Sequence, residues 1–297
     1  MVIPTGRGDT NAVAEVASIV PVGADHHASI CKKLSCCTAI LFLNFLVLGN
    51  GAQANEVAEK LELGEHIALE VHTPAGSGPH PAVLLLHGCS GLESGVLGGL
   101  RSHAEVLVAA GYAAAIVDSF SRRNKAGGMV CESLGELKLA RYYRTKDAFA
   151  VKTYLAGRDD IDPEAIFLIG QSNGGSVALI AAMQKTVEKS EGATPFTGIV
   201  AYYPWCGALD RFPKLASTLL VLGGENDEWV PPDGCVTRAP DAEGAEMEVH
   251  VYPGAYHSFD LAIEKQFYAG QIVGGDAAAT EDSRARYLAF FAALRSR

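Results

Sequence analysis

The stretch Ile166-Phe167-Leu168-Ile169-Gly170-Gln171-Ser172-Asn173-Gly174-Gly175-Ser176 constrains this chain more than any other. An apolar run breaks at a Gly-x-Ser-x-Gly and resumes as the helix-forming Val177-Ala178-Leu179-Ile180-Ala181-Ala182. Strand, sharp turn and helix in that order are what a nucleophile elbow requires, because the turn lifts a serine hydroxyl clear of the end of a sheet. Gly170 and Gly174 suit that turn sterically. Side chains there would collide across it, and the backbone at Ser172 is forced into a strained conformation. A glycine turn without chemistry has the same local signature, so the assignment depends on what lies downstream.

The surrounding pattern is that of strands alternating with helices. Ala82 to Leu86, Tyr112 to Val117, Gly198 to Tyr203, Thr218 to Leu222 and Met247 to Tyr252 read as further strands. The continuous apolar character of Ala82 to Leu86 marks a strand buried on both faces. Glu65 to His72 alternates as an edge strand would, and Pro74 to Pro81 is a turn. Helices are expected over Ser102 to Ala110, Glu136 to Ala156 and Glu281 to Leu294, with a long loop from Ser119 to Leu134. These elements predict an α/β fold with a mostly parallel central sheet covered by helices on both faces. No glycine-rich dinucleotide or phosphate loop opens any of the helices, so no nucleotide cofactor is expected.

A serine hydroxyl becomes a nucleophile only when an imidazole takes its proton and a carboxylate orients that imidazole. Downstream, Leu219 to Leu222 runs into Gly223-Gly224-Glu225-Asn226-Asp227-Glu228-Trp229-Val230-Pro231, and Val249 to Tyr252 into Pro253-Gly254-Ala255-Tyr256-His257-Ser258-Phe259. Ser172, Asp227 and His257 thus follow in order, each beyond the carboxyl end of a predicted strand, where open α/β sheets place their ligand sites. Glu225, Glu228 and Asp233 compete with Asp227, and His87 and His250 with His257. The oxyanion would take the backbone N–H of Asn173 and, from His87-Gly88-Cys89-Ser90-Gly91, that of Cys89. Arg122, Arg123, Tyr202, Tyr203, Trp205 and Trp229 are candidates for a substrate pocket, with apolar packing as the competing explanation for the aromatic ones.

The N-terminal region is a different kind of sequence. Lys32-Lys33, the uncharged run Cys36 to Leu48 and Gly51-Ala52-Gln53-Ala54 have the form of a secretory signal peptide over 29–54, cleaved after Ala54. The apolar run is shorter than the roughly 20 residues of a membrane span. Residues 1–28 read as a disordered leader or a misassigned start, and 55–297 as one domain. An exported protein, periplasmic or secreted, is expected. Four cysteines then remain, and an even count in an exported chain suggests disulfides. Among three connectivities, Cys206 with Cys235 and Cys89 with Cys131 is the expected pairing, each bond worth roughly 3–4 kcal/mol. No Cys-x-x-Cys or close Cys/His pair offers a zinc site, and no metal is expected. A net charge of −10 argues against nucleic acid or an acidic membrane surface as partner. The oligomeric state stays open.

Leu-Leu-Leu-His-Gly-Cys-Ser-Gly-Leu, Gly-Gln-Ser-Asn-Gly-Gly, Gly-Gly-Glu-Asn-Asp-Glu-Trp-Val-Pro and Tyr-Pro-Gly-Ala-Tyr-His-Ser-Phe-Asp together resemble the dienelactone hydrolase family of α/β-hydrolases, over roughly residues 60–295. The resemblance implies a cofactor-independent hydrolase of small-molecule esters or lactones. This chain departs from the family pattern in having Ser172 where enzymes that open dienelactones typically carry cysteine. It also has Asp260, Leu261 and Ala262 where they typically carry an arginine for the substrate carboxylate. A negative charge at Asp260 would repel an anionic lactone, with Arg122 and Arg123 as the compensating cations. The expected function is therefore a serine hydrolase of carboxylic esters or lactones. A small serine peptidase and a catalytically silent hydrolase fold used for binding are the alternatives.

Overall fold

The computed structural model describes residues 57–125 and 128–296, all within the unit Ala52–Arg297. The expected leader and signal peptide fall outside these residues. The main sheet is built from β1 (Val57–Leu63), β2 (Ile67–Thr73), β3 (His80–Leu86), β4 (Ala113–Asp118), β5 (Ile161–Gln171), β6 (Ile199–Tyr202), β7 (Leu219–Gly224) and β8 (Met247–Tyr252). Their order is β1-β2-β4-β3-β5-β6-β7-β8. β1–β2 and β2–β4 pair antiparallel and every other neighbour is parallel.

The continuous apolar runs are explained by burial on two faces. In β3, Ala82, Leu84 and Leu86 enter the core on one side and Val83 and Leu85 the core on the other. The first core lies under α2 (Leu134–Ala156) and α3 (Asn173–Ala182), which supply Ala148, Val151, Leu155, Val177 and Ala181. The second lies under α1 (Ser94–Ala109) and the C-terminal α5 (Ala277–Arg295), through Leu100, Ala104, Leu107, Tyr287 and Phe291. A short α4 (Gln184–Lys189) follows α3.

Three differences from the sequence reading have a physical reason in the packing and capping of the elements concerned. The strand expected at the edge, β2, is covered by β1, whose Glu59, Lys60 and Glu62 give the outermost strand the charged character that discourages edge pairing. α1 begins eight residues earlier than expected. Gly95, Gly98 and Gly99 weaken the helical signal, but Gly99 is there for contact, since a Cβ on it would sit 2.4 Å from Leu261 Cδ2. α5 begins four residues early, at an Asp276 cap whose side chain accepts the Ala279 N–H at 2.9 Å. A hairpin, β9 (Gln266–Tyr268) and β10 (Gln271–Val273), was not foreseen. Its turn places Ala269 and Gly270 both at positive φ, the conformation of a tight two-residue hairpin loop.

Candidate active site

β5 delivers the chain to Ser172, whose φ of 53° and ψ of −113° lie far outside the helical values that begin at Asn173. The kink is held by Ser172 N–H on Tyr202 O at 3.0 Å and by Ser176 N–H on Ser172 O at 2.8 Å. The two flanking glycines are sterically obligatory. A Cβ at Gly170 would lie 2.2 Å from Gly174 O, and one at Gly174 would lie 2.5 Å from Leu86 O.

The loops after β7 and β8 bring Asp227 and His257 to this serine. Ser172 Oγ is 3.0 Å from His257 Nε2, and His257 Nδ1 is 2.7 Å from Asp227 Oδ2. A carboxylate can only accept, so the ring proton belongs on Nδ1 and leaves Nε2 to accept from the serine hydroxyl. Asp227 Oδ1 accepts the N–H groups of Trp229 and Val230 at 3.0 and 2.9 Å, which fixes the carboxylate. The imidazole is packed between Tyr203, centroids 4.5 Å apart, and Trp229, 5.0 Å apart. From the other side β10 braces the same loop, with Gly274 N–H donating to His257 O at 3.0 Å. The competing residues lie elsewhere. Glu225, Glu228 and Asp233 are exposed, and His250 meets the Tyr252 ring edge-to-face from within β8. His87 is buried with Nδ1 donating to Gly88 O at 2.7 Å, and burial together with the Arg144 charge pushes its pKa down to about 3.

Cys89, Ser172 and Asn173 line one cavity. The amide of Asn173, the first of α3, has no acceptor within the helix, and no acceptor meets the Cys89 amide among the described residues. Cys89 is disulfide-bonded to Cys131, which ties its loop to the segment before α2; Cys206 is bonded to Cys235. The segment before Cys89 and the start of α3 converge on a residue the sequence reading missed. Arg144, fully buried on α2, donates to His87 O at 2.6 Å and to Asn173 Oδ1 at 2.8 Å. Its ring-face contact is Phe120, at 4.9 Å. Burial lowers its pKa to about 10, still high enough to stay charged at neutral pH. The available signal was an arginine in the row Ala140, Arg144, Ala148, Val151, Leu155, where helical spacing asks for an apolar side chain. Arg144→Met is expected to lower kcat for ester hydrolysis at least about tenfold with KM little changed, because it frees the peptide that carries the Gly88–Cys89 turn. Arg144→Lys should recover part of that loss. A change confined to KM would show that Arg144 does not position these amides.

The region after His257 corrects the sequence reading. Asp260 is buried, with its carboxylate engaged by buried side chains. Its Oδ1 accepts from Tyr203 OH at 2.5 Å, and its Oδ2 from His103 Nε2 at 2.9 Å and Gln171 Nε2 at 2.6 Å. Burial raises its pKa, but these hydrogen bonds and the His103 ring outweigh it and hold the carboxyl below the usual range. Arg122 and Arg123 do not supply a substrate cation either. Arg122 pairs with Glu62, and Arg123 makes a two-pronged pair with Asp147 at 2.8 and 2.9 Å.

The sequence profile described as "Dienelactone hydrolase family" matches residues 67–294. The chain belongs to that family. An uncharacterized protein of Mycobacterium tuberculosis, found in two strains, is 32% identical over 202 residues, 63% of this chain and 66% of the relative. The chain thus spans just under two thirds of that relative's length. Among solved structures, the dienelactone hydrolase of Anabaena variabilis has a TM-score of 0.57 at 20% identity, covering 80% of this chain and 97% of the other. A dienelactone hydrolase-like promiscuous phosphotriesterase from metagenomic libraries reaches 0.60 at 20% identity, covering 80% and 98%. The butyrate-bound esterase of Thermogutta terrifontis reaches 0.56 at 17%, covering 80% and 94%. These three show the shared α/β-hydrolase fold.

In this family member two cavities open on Ser172. One, about 250 Å³, is bounded by His257, Tyr203 and Trp229 and walled by Leu261, Ile263 and Tyr268. The other, about 420 Å³, lies between Trp229 and Trp205 and reaches Lys138 and Arg141. Tyr203, Trp205 and Trp229 thus line the cavities at the serine; Tyr202 lines neither, its side chain being buried with its hydroxyl on Ser283 Oγ at 2.9 Å. Among the described residues no cluster of His, Cys, Asp or Glu is placed to hold a metal, and no helix is long and apolar enough to cross a membrane.

Proposed function

We propose that this protein is an exported serine hydrolase that cleaves carboxylic esters or lactones through Ser172, His257 and Asp227. The observation that carries the reading is the continuous relay from Ser172 Oγ to His257 Nε2 at 3.0 Å and from Nδ1 to Asp227 at 2.7 Å, at the mouth of two cavities. His257 takes the hydroxyl proton as Ser172 Oγ attacks the carbonyl carbon, and the Cys89 and Asn173 amides receive the developing oxyanion. The same proton passes to the departing alcohol, leaving an acyl-serine. Water, deprotonated by His257, then attacks the acyl carbon, and the acid leaves as the serine regains its proton. The 250 Å³ cavity suits small groups on one side of the ester. Two disulfides support export, since such bonds persist in oxidising compartments.

The test uses p-nitrophenyl esters of graded acyl length and a lactone panel, with Ser172→Ala alongside. Turnover by the wild type, its loss in Ser172→Ala and labelling of Ser172 by a fluorophosphonate are expected. A folded wild-type protein that neither turns over any of these nor takes the label would end the catalytic reading.

A further inference from the structure

We propose that the groove between α2 and α4 binds an anionic polysaccharide and presents an ester carried on it to Ser172. This deepens the esterase reading above and rests on it. On α2, Lys138, Arg141, Tyr142, Thr145 and Lys146 fall at i, i+3, i+4, i+7 and i+8, so they form one stripe along the helix. α4 faces that stripe with Lys185 and Lys189, and together they line a groove of about 790 Å³. Five cations line it and no carboxylate does, on a chain whose net charge is −10. Charge of one sign gathered in a concave surface raises the local concentration of ligands of the other sign.

Few of these cations are neutralised by the protein. Lys185 pairs with Asp210, which lies outside the lining. Arg141 lies over the Trp205 ring at 4.6 Å and Lys146 over Tyr142 at 4.4 Å. Lys138, Arg141, Lys146 and Lys189 have no carboxylate ion pair among the described residues. Desolvation lowers the pKa of half-buried Arg141, as burial of an unpaired cation does.

The groove leads to the candidate active site. Lys138, Arg141 and Trp205 line both the groove and the 420 Å³ cavity that contains Ser172. From Lys138 to Lys146 the helix rises about 12 Å, which suits an extended chain of charges better than one small acid. Three features favour a polysaccharide among polyanions. The chemistry proposed for Ser172 acts on a carboxylic ester, which the phosphodiester backbone and bases of nucleic acid lack. A concave groove on an otherwise acidic protein does not fit a flat anionic bilayer. The partly exposed rings of Trp205 and Tyr142 offer apolar surface to sugar rings beside the cations that would hold their carboxylates.

The test compares O-acetylated and methyl-esterified polygalacturonate with neutral O-acetylated xylan and p-nitrophenyl acetate, for wild type and Lys146→Glu/Lys189→Glu. Both lysines are exposed and lie outside the cavities at Ser172. On at least one esterified polyuronate, kcat/KM should fall about tenfold or more in the variant, and similarly for wild type when salt is raised to screen surface charge. Turnover of p-nitrophenyl acetate and xylan should stay within about twofold, as for changes remote from a site. The polyuronate arm that responds identifies the ester linkage. Equal polyuronate turnover by wild type and variant would overturn the proposal. So would lysine-dependent sedimentation with phosphatidylglycerol vesicles without polymer turnover, which would make the groove a membrane contact. Calorimetry of unesterified polygalacturonate with Ser172→Ala separates the two readings. Lysine-dependent binding in a protein inactive on every ester would uphold the groove as a polyuronate site and end the esterase reading alone.

Discussion

Asp227→Asn is expected to lower kcat for ester hydrolysis by about 10⁴-fold while leaving the fold intact, the loss that a wrong histidine tautomer brings to such a relay. The two oxygens of Asp227 have separate tasks. Oδ1 holds the Trp229 and Val230 amides, and Oδ2 receives the Nδ1 proton of His257. An asparagine retains the first task with its carbonyl oxygen. Its NH₂ then points at His257 Nδ1, which must become an acceptor, and the ring proton moves to Nε2. That nitrogen faces Ser172 Oγ at 3.0 Å and could no longer take a proton from it. The measurement is kcat and KM on a p-nitrophenyl ester together with the thermal midpoint. A kcat within tenfold of wild type at an unchanged midpoint would show that Asp227 does not set the tautomer.

Asp260→Ala is expected to destabilise the protein by about 3–5 kcal/mol, the cost of breaking a buried charge network from one side. Three buried donors, His103 Nε2, Gln171 Nε2 and Tyr203 OH, would lose their shared acceptor. For a chain of this size the midpoint should fall by roughly 10 °C. Activity should fall as well, because the Tyr203 ring bounds the His257 imidazole and the Tyr203 hydroxyl donates to Asp260. The pH dependence follows from the direction of the shift. The folded Asp260 has a lowered pKa, so its contribution is fully present above the unfolded value near 3.8 and is lost as the pH falls through the folded value. Denaturant titrations of wild type and Asp260→Ala should therefore differ most at neutral pH and converge in strong acid. Equal stability of the two proteins at pH 7 would refute the network's role.

Much of the fold was legible in the chain because it rests on short-range physics. The continuous apolar runs of β3, β4 and β5 announce strands buried on both faces, and Gly170 and Gly174 announce the elbow through clashes within a few residues of Ser172. β1 and the start of α1 were less legible. Their charged and glycine positions answer to the sheet edge and to Leu261, not to their own sequence neighbours. The positions of Ser172, Asp227 and His257 at strand ends could be read in order, since a parallel sheet carries each strand's carboxyl end to the same side.

What surrounds that site depended on tertiary structure. Asp260 reads in the sequence as a charge beside the histidine, and folding turns it inward to His103, 157 residues away along the chain. Arg144 reads as a flaw in an apolar helix face, and folding places it against His87 and Asn173. Arg122 and Arg123 read as free cations, and folding commits them to Glu62 and Asp147, while Lys138, Arg141, Lys146 and Lys189 gather between α2 and α4 without a carboxylate partner among the described residues. The sequence alone determined the buried strands of the parallel sheet, the elbow and the chemical character of the residues at strand ends, because backbone sterics and hydrophobic period are local. Only the tertiary structure decided which charges are paired, buried or left facing a groove, because that depends on which distant segments the sheet order makes neighbours.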